Sequence, residues 1–214
     1  GTAADPDAVA GWKQVPLEFP RIQGIDVAGE VAEVGDGVDV AWLGRRVLVD
    51  PAARYEHDLP ADIIGSEVDG GFAEYHRCSV DQLHDVTGSP LTDAQLACLP
   101  TAYGTALGMI ERAEIETGER VLVTGSSGGV GSAAIQLLVD RGCEVVARTS
   151  PAHREFVSAL GAAEVSVRGD DDLGSLAPVD AAVDVVGGDE FGQLLDRLRD
   201  GGRLVTAGAI AGPV

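Results

Sequence analysis

The amino-acid sequence predicts an α/β chain in two parts: an antiparallel β barrel or sandwich, followed by a doubly wound parallel sheet with helices. Apolar and polar residues alternate over Gly24–Asp39, as they do in half-buried strands. After Gly118, short apolar strands alternate with helical segments, which is typical of a parallel sheet with right-handed crossovers. Where the first of these strands meets its helix, Gly125, Gly128 and Gly131 are spaced G-x-x-G-x-x-G.

The first predicted domain comprises residues 1–88 and carries the β pattern. Its predicted strands are Gly24–Asp39, broken by a turn at Gly35–Gly37, then Leu43–Asp50 and Gly71–Ser79. The stretch 51–70 is polar and irregular, and we expect it to form a surface lobe.

The second predicted domain comprises residues 89–214. Thr92 and Asp93 predict the start of a helix, and a second helix is expected from Tyr103 to Arg112. The predicted strands are Arg120–Thr124, Glu144–Arg148, Glu164–Val167, Asp180–Val186 and Arg203–Ala207. The predicted helices between them are Gly129–Arg141, Ala152–Leu160 and Asp189–Arg199. Ligands of such sheets bind beyond the carboxyl ends of the strands, here at Gly125, 148–150, 186–187 and 207–209.

The glycine-rich turn is the main candidate for ligand binding. Glycines allow a tight strand-to-helix turn and a close approach of phosphate to the backbone, and the helix adds free N–H groups and its positive dipole end. We expect a dinucleotide pyrophosphate to contact Gly125, Ser127, Gly128, Gly129, Val130 and Gly131. The alternative is a tight turn without a ligand.

The second strand indicates which dinucleotide is bound. NAD sites usually carry an acidic residue about 20 positions after the first glycine. Here the strand ends in Arg148, Thr149 and Ser150, and Arg154 follows, so cations and hydroxyl groups replace the carboxylate. The sequence therefore favours NADP over NAD, with these four residues at the 2′-phosphate. The alternative is that Arg148 and Arg154 are ordinary surface residues.

The charge of the chain is unusual. Asp and Glu total 35 against 15 basic residues, for a net charge of −20. This composition favours adaptation to molar salt, where self-repulsion is screened, and the alternative is an ordinary acidic enzyme. Non-specific binding to nucleic acid is disfavoured in both cases.

Other features of the composition point to a cytoplasmic protein. No apolar run is long enough for a membrane span, and the 3 cysteines, Cys78, Cys98 and Cys143, suggest neither disulfides nor a metal cluster. Because Gly1 is not methionine, we expect a fragment or a processed product.

Five segments of the chain resemble the medium-chain dehydrogenase/reductase superfamily, most closely its zinc-independent quinone oxidoreductase branch. They read PRIQGIDVAGEVAEVGDGV, GGFAEY, LPTAYGTAL, TGERVLVTGSSGGVGSAAIQLL and GGRLVTAGAIAG, in the order of that family. The resemblance implies a GroES-like β barrel domain and a Rossmann domain, lacking respectively the usual N-terminal and C-terminal parts. It also implies an active site between the two domains and a homodimer or homotetramer.

The resemblance further implies NADPH-dependent hydride transfer to a quinone or an α,β-unsaturated carbonyl. Thr101 and Tyr103 match positions near the nicotinamide, where we place them as catalytic candidates, although Tyr103 is expected mainly to pack. Thr101 is also a cofactor-binding candidate, together with Val186, Gly187, Ala207 and Gly208, which match stretches that pass the nicotinamide and its ribose.

Departures from the zinc-dependent members imply that no metal is bound. Isoleucine at position 25 replaces a zinc-binding histidine, and the lobe at 51–70 lacks the four cysteines of a structural site. Cys98 is one residue from a ligand position, and His57 and His76 are expected at the surface. Three alternatives remain open: an alcohol or polyol dehydrogenase relative with a degraded zinc site, a non-enzymatic nucleotide- or RNA-binding relative, and an enoyl-reductase module of a larger synthase.

Overall fold

A computed structural model describes residues 17–53, 62–170, 172–208 and 211 of the chain. The chain forms two compact units, Gly1–Thr101 and Ala102–Val214. Their boundary lies thirteen residues beyond the one predicted from the sequence, inside a helix. Residues 54–61 of the surface lobe, which include His57, and Ala209 lie outside the described residues.

Within its described residues, the first unit contains two small antiparallel sheets, in keeping with the antiparallel structure that the alternating pattern predicted. Strands β1 (Val27–Glu30), β2 (Arg46–Val49) and β5 (Leu83–Asp85) form one sheet in the order β1-β2-β5. Strands β3 (Ala52–Ala53) and β4 (Asp62–Ile63) form the other. The inner side chains of β2, Val47 and Val49, are buried.

The prediction of a strand at Gly71–Ser79 is wrong, because the structure has no strand at these residues. Its backbone near Gly71 bonds instead to an irregular segment, since Gly71 N donates to Gly24 O and Phe72 N donates to Gln23 O, both at 2.8 Å. Phe72 and Tyr75, the two aromatic side chains of this stretch, are 79% and 74% exposed. The sequence missed β5 because two of its three side chains face solvent, which removes the alternation.

Two helices join the sheets to the second half of the chain. Helix α1 (Asp93–Leu96) begins at a capping box in which Thr92 and Gln95 cap each other's backbone N–H groups. Helix α2 (Pro100–Arg112) begins three residues earlier than predicted, because proline is favoured at the first helical position.

The second unit is a doubly wound sheet, as predicted. In chain order its elements are β6 (Arg120–Val123), α3 (Gly129–Asp140), β7 (Glu144–Thr149), α4 (Arg154–Ala159), β8 (Glu164–Val167), β9 (Val179–Asp184), α5 (Phe191–Leu195) and β10 (Leu198–Thr206). The five strands are parallel in the order β10-β9-β6-β7-β8. The strand order reverses at β6, so the ends of β6, β7 and β9 surround the expected binding crevice.

Each face of this sheet has its own apolar core. Val121 and Val123 point to the face covered by α3, and Leu122 points to the other, as alternation along a strand requires. All three side chains are buried.

The helix predicted at Asp189–Arg199 is too long. A 3₁₀ turn covers Gly188–Glu190, α5 ends at Leu195, and Leu198 already begins β10. Leu198 packs on the second core, and this burial draws the segment into the sheet. Within the described ranges, no helix combines the length and the apolar composition needed to cross a membrane.

Candidate nucleotide-binding site

The turn between β6 and α3 depends on two glycines for its shape. Gly125 has φ +54°, and a Cβ there would lie 2.6 Å from Val185 Cγ2. A Cβ on Gly131 would lie 2.3 Å from Gly125 O. Both distances are too short for real atoms, so the spacing of these glycines is required by the packing of α3 on the turn.

The other glycines of the turn leave the start of α3 open. Gly128 is the N-cap and makes no side-chain cap, and both Gly128 and Gly129 are exposed. The first N–H groups of a helix have no partner within it, so those near Gly129 and Val130 are available to an anion. Ser127 is half-buried beside them.

Ser126, which the sequence did not single out, ties this turn to the next strand. Its side chain is fully buried, and Ser126 Oγ donates to Arg148 O at 2.8 Å. Its position as a small polar residue between Gly125 and Gly128 is the feature of the sequence that could have indicated this role. The bond fixes the glycine turn against the carboxyl end of β7.

Arg148 does not fit its predicted place at a 2′-phosphate. Its side chain is 5% exposed, and its guanidinium donates to Ser166 Oγ at 2.7 Å and to Glu190 Oε1 at 2.8 Å. Arg148 shares a strand face with Val146, which points into the second core. Its charge is therefore paired inside the protein.

The other predicted residues at the end of β7 have different surroundings. Thr149 is buried, and its Oγ1 has no hydrogen-bond partner in the part of the chain that the structure describes. Ser150 Oγ lies 2.9 Å from His153 Nδ1. Arg154 opens α4 and is exposed.

A second exposed arginine, Arg168, lies at the same edge of the sheet. It directly follows β8, and its backbone N–H donates to Thr149 O at 2.8 Å. Among the described residues, neither Arg154 nor Arg168 forms an ion pair. Arg168 was not among the predicted residues, because the residue that selects the cofactor is expected at the end of the second Rossmann strand. The feature of the sequence that could have indicated Arg168 is a basic residue directly after β8, the strand next to β7.

The remaining predicted cofactor residues lie together at the ends of β9 and β10. Gly187 is buried with φ +66°, and Val186 beside it is half-buried. Ala207 and Gly208 are exposed, and Ala207 N donates to Asp184 O at 3.0 Å. A Cβ on Gly208 would lie 2.8 Å from Val185 O, so the two strand ends are in close contact.

The two catalytic candidates lie at the start of α2. Thr101 N donates to Asp26 Oδ1 at 2.8 Å, so the carboxylate caps the helix. Thr101 Oγ1 is buried without a hydrogen-bond partner among the described residues. Tyr103 is half-buried and packs on the first core of the second unit, in keeping with the packing role expected for it.

The described residues do not offer a metal site. No three His, Cys, Asp or Glu side chains within 17–53, 62–170, 172–208 and 211 are close enough to hold an ion. Asp26 caps α2, and the Cys98 thiol is exposed and donates to Ala94 O at 3.2 Å. Burial raises the pKa of Cys78, which disfavours its thiolate.

At the amino edge of the parallel sheet, unlike at Arg154 and Arg168, arginines form ion pairs with glutamates. Arg120 bonds to Glu144 and Glu164, and Arg203 bonds to Glu119 at 2.5 Å. The hydrogen bond from Arg203 lowers the pKa of Glu119. Among the described residues, Arg154 and Arg168 at the carboxyl edge therefore have no carboxylate partner, whereas Arg148 at that edge and Arg120 and Arg203 at the amino edge are paired.

Comparison with known proteins agrees with the two-unit fold. Residues 3–88 match the family model of the alcohol dehydrogenase GroES-like domain, and residues 129–214 match that of the zinc-binding dehydrogenase. The first match ends where the sequence placed the domain boundary.

Individual relatives match along most of the chain. A provisionally named alcohol dehydrogenase structure from Sinorhizobium meliloti 1021 is 45% identical with a TM-score of 0.89, covering 100% of this chain and 62% of that one. The quinone oxidoreductase of Coxiella burnetii is 33% identical with a TM-score of 0.74, covering 91% and 56%. The acryloyl-coenzyme A reductase of Metallosphaera sedula is 30% identical over 206 residues, covering 91% and 62%.

The chain thus spans between 56% and 62% of the length of these three proteins. The family resemblance of the five segments is confirmed by the two family models and by these relatives. The chain belongs to the medium-chain dehydrogenase/reductase superfamily, in its quinone oxidoreductase-like branch, a family of oxidoreductases that use nicotinamide cofactors.

Proposed function

We propose that this chain carries the cofactor site of an NADPH-dependent oxidoreductase that transfers hydride to quinones or α,β-unsaturated carbonyls without a metal. Two relatives support the substrate class, because one is a quinone oxidoreductase and the other reduces acryloyl-coenzyme A, an α,β-unsaturated thioester. The absence of a three-ligand cluster among the described residues supports the metal-independent reaction.

The observation that carries the NADP preference is that Arg154 and Arg168 are exposed and form no ion pair with any described residue. In a chain with a net charge of −20, an exposed arginine without a carboxylate partner is available to an external anion. Both follow strands of the β7–β8 half of the sheet, where the adenosine ribose of a dinucleotide lies. Guanidinium groups and the Ser150 hydroxyl are the donors that a 2′-phosphate requires.

The chain's own groups would bind and orient the cofactor. The open start of α3 holds the pyrophosphate at Gly128–Val130, and the turns at 186–187 and 207–208 hold the nicotinamide nucleotide. When bound, reduced nicotinamide supplies the hydride. The buried Thr101 hydroxyl is a donor without a hydrogen-bond partner among the described residues, and we assign it to the cofactor amide or to charge that develops on the substrate oxygen.

The cofactor assignment predicts a selective effect of two substitutions. We expect Arg154→Ala and Arg168→Ala each to raise the Kd for NADPH about tenfold or more, since each removes a charged hydrogen bond, and to leave the Kd for NADH within twofold. Isothermal titration calorimetry measures both constants. Arg112→Ala, which removes another exposed arginine, should change neither.

The same purified samples test the reaction. Oxidation of NADPH by a benzoquinone or an enone, unchanged after chelation, would support the proposal. The S. meliloti relative favours alcohol oxidation as a second candidate. Alcohol-dependent reduction of NADP that is lost on chelation and restored by zinc would contradict the proposal and support this alternative.

A further inference from the structure

Asp184 is the one buried carboxyl side chain in the described part of the chain, with 1% of its surface exposed. It ends β9, the strand that adjoins β6 at the reversal of strand order. No arginine contacts its carboxylate among the described residues. Burial of an unpaired carboxylate is costly unless hydrogen bonds replace the lost water, so its partners indicate what it does.

Among the described residues, the Asp184 carboxylate accepts four hydrogen bonds, and every donor lies at the carboxyl edge of the sheet. Thr124 Oγ1 donates at 2.5 Å and Val186 N at 3.2 Å, both to Oδ1. Gly187 N donates to Oδ2 at 3.0 Å, and Thr206 Oγ1 approaches the same oxygen at 3.4 Å. One side chain therefore connects the ends of β6, β9 and β10.

The backbone that Asp184 holds has an unusual shape. Gly187 and Gly188 are consecutive left-handed residues, with φ +66° and +74°. The backbone of such a turn is not held by the regular hydrogen bonds of a strand or a helix. The hydrogen bonds from Val186 N and Gly187 N to the Asp184 carboxylate hold it instead. Thr124 Oγ1 adds a third link, because it accepts from Val185 N at 3.2 Å.

We infer that Asp184 is a positioning residue that holds the turn at 185–188 in the shape needed by the nicotinamide half of the cofactor. The inference rests on the proposed function. A dinucleotide lies across the reversal point with one nucleotide over each half of the sheet. Since Arg154 and Arg168 assign the adenosine half to β7 and β8, the turn after β9 faces the nicotinamide half.

Asp184→Asn tests this role with little change of shape. The amide places an N–H₂ donor where a carboxylate oxygen accepted a bond, so one backbone or hydroxyl donor loses its acceptor. We expect the Kd for NADPH to rise about tenfold. The Kd for adenosine 2′,5′-bisphosphate, which contains only the adenosine half, should stay within twofold.

Asp180→Asn is the matched control, because Asp180 lies on the same strand but at the amino edge, where it pairs with Arg199. In Asp180→Asn, the Kd for NADPH and the Kd for adenosine 2′,5′-bisphosphate should both stay within twofold of those of the unsubstituted protein. An equal loss of affinity for NADPH and for adenosine 2′,5′-bisphosphate in Asp184→Asn would show a general structural role and overturn the inference. Unchanged NADPH affinity would also overturn it.

A measurement on the unsubstituted protein covers the case in which Asp184→Asn does not fold. Hydrogen exchange without cofactor should be slow at the amides of Val186 and Gly187, and fast exchange there would overturn the inference.

The inference about Asp184 and the proposed NADPH preference can fail independently of each other. If the protein binds NADH but not NADPH, the cofactor preference is wrong, and Asp184 is tested by the same comparison with NADH and ADP. Binding of neither dinucleotide would overturn both.

Discussion

Glu119 shows how a single side chain makes stability depend on pH. It accepts bonds from Arg203 at 2.5 Å and from Glu116 N at 2.9 Å. The bond to Arg203 is the largest cause of its lowered pKa. A carboxyl group whose pKa is lower in the folded protein stabilises it above its unfolded pKa, about 4.3 for Glu, and loses this effect as pH falls through the folded value.

We therefore expect Glu119→Gln to reduce the free energy of unfolding by about 0.5–1 kcal/mol at neutral pH. The difference from the unsubstituted protein should shrink as pH falls from the ordinary Glu value of about 4.3 through the lowered pKa of Glu119, where the folded protein protonates this carboxyl group. Urea unfolding at several pH values measures it. The exposed Glu33 provides the control Glu33→Gln, and a difference that does not vary with pH would contradict the prediction.

At the scale of elements, two glycines in helices are expected to respond oppositely to alanine. A Cβ at Gly131 in α3 would meet Gly125 O at 2.3 Å, whereas a Cβ at Gly104 in α2 would meet nothing within 4 Å. Gly131→Ala should cost about 1–3 kcal/mol of unfolding free energy through overpacking. Gly104→Ala should be neutral or stabilise by up to about 1 kcal/mol, because alanine favours helix. Thermal unfolding compares them, and equal effects would contradict the packing argument.

The elements also show how far the sequence determines the fold. Strand β8 was predicted at its observed bounds, Glu164–Val167, and the glycine turn was placed correctly, because periodicity and glycine geometry are local signals. The strand expected at Gly71–Ser79 failed because a long-range contact with Gly24 decides that backbone. Arg148 was predicted at the 2′-phosphate because sequence alone does not show that Glu190, 42 residues later, lies within reach.

At the scale of the whole molecule, the net charge of −20 leads us to propose adaptation to concentrated salt. The Debye length falls from about 10 Å at 0.1 M to about 3 Å at 1 M salt, so carboxylate repulsion weakens over this range. We expect the urea midpoint to rise with KCl, most steeply below about 1 M. Glycerol in place of KCl is the control, since it leaves the charges unscreened. A flat or falling midpoint in KCl would contradict the proposal.

Arg154 and Arg168, which form no ion pair with a described residue, also affect how fast the cofactor arrives. An anionic dinucleotide approaching this chain meets a body of the same sign, and Arg154 and Arg168 attract it only within a short distance. Dilute buffer therefore slows encounter, whereas salt removes the distant repulsion and leaves the contact with the guanidinium groups. Capture of the cofactor should consequently quicken as salt is added, the reverse of ordinary electrostatic steering.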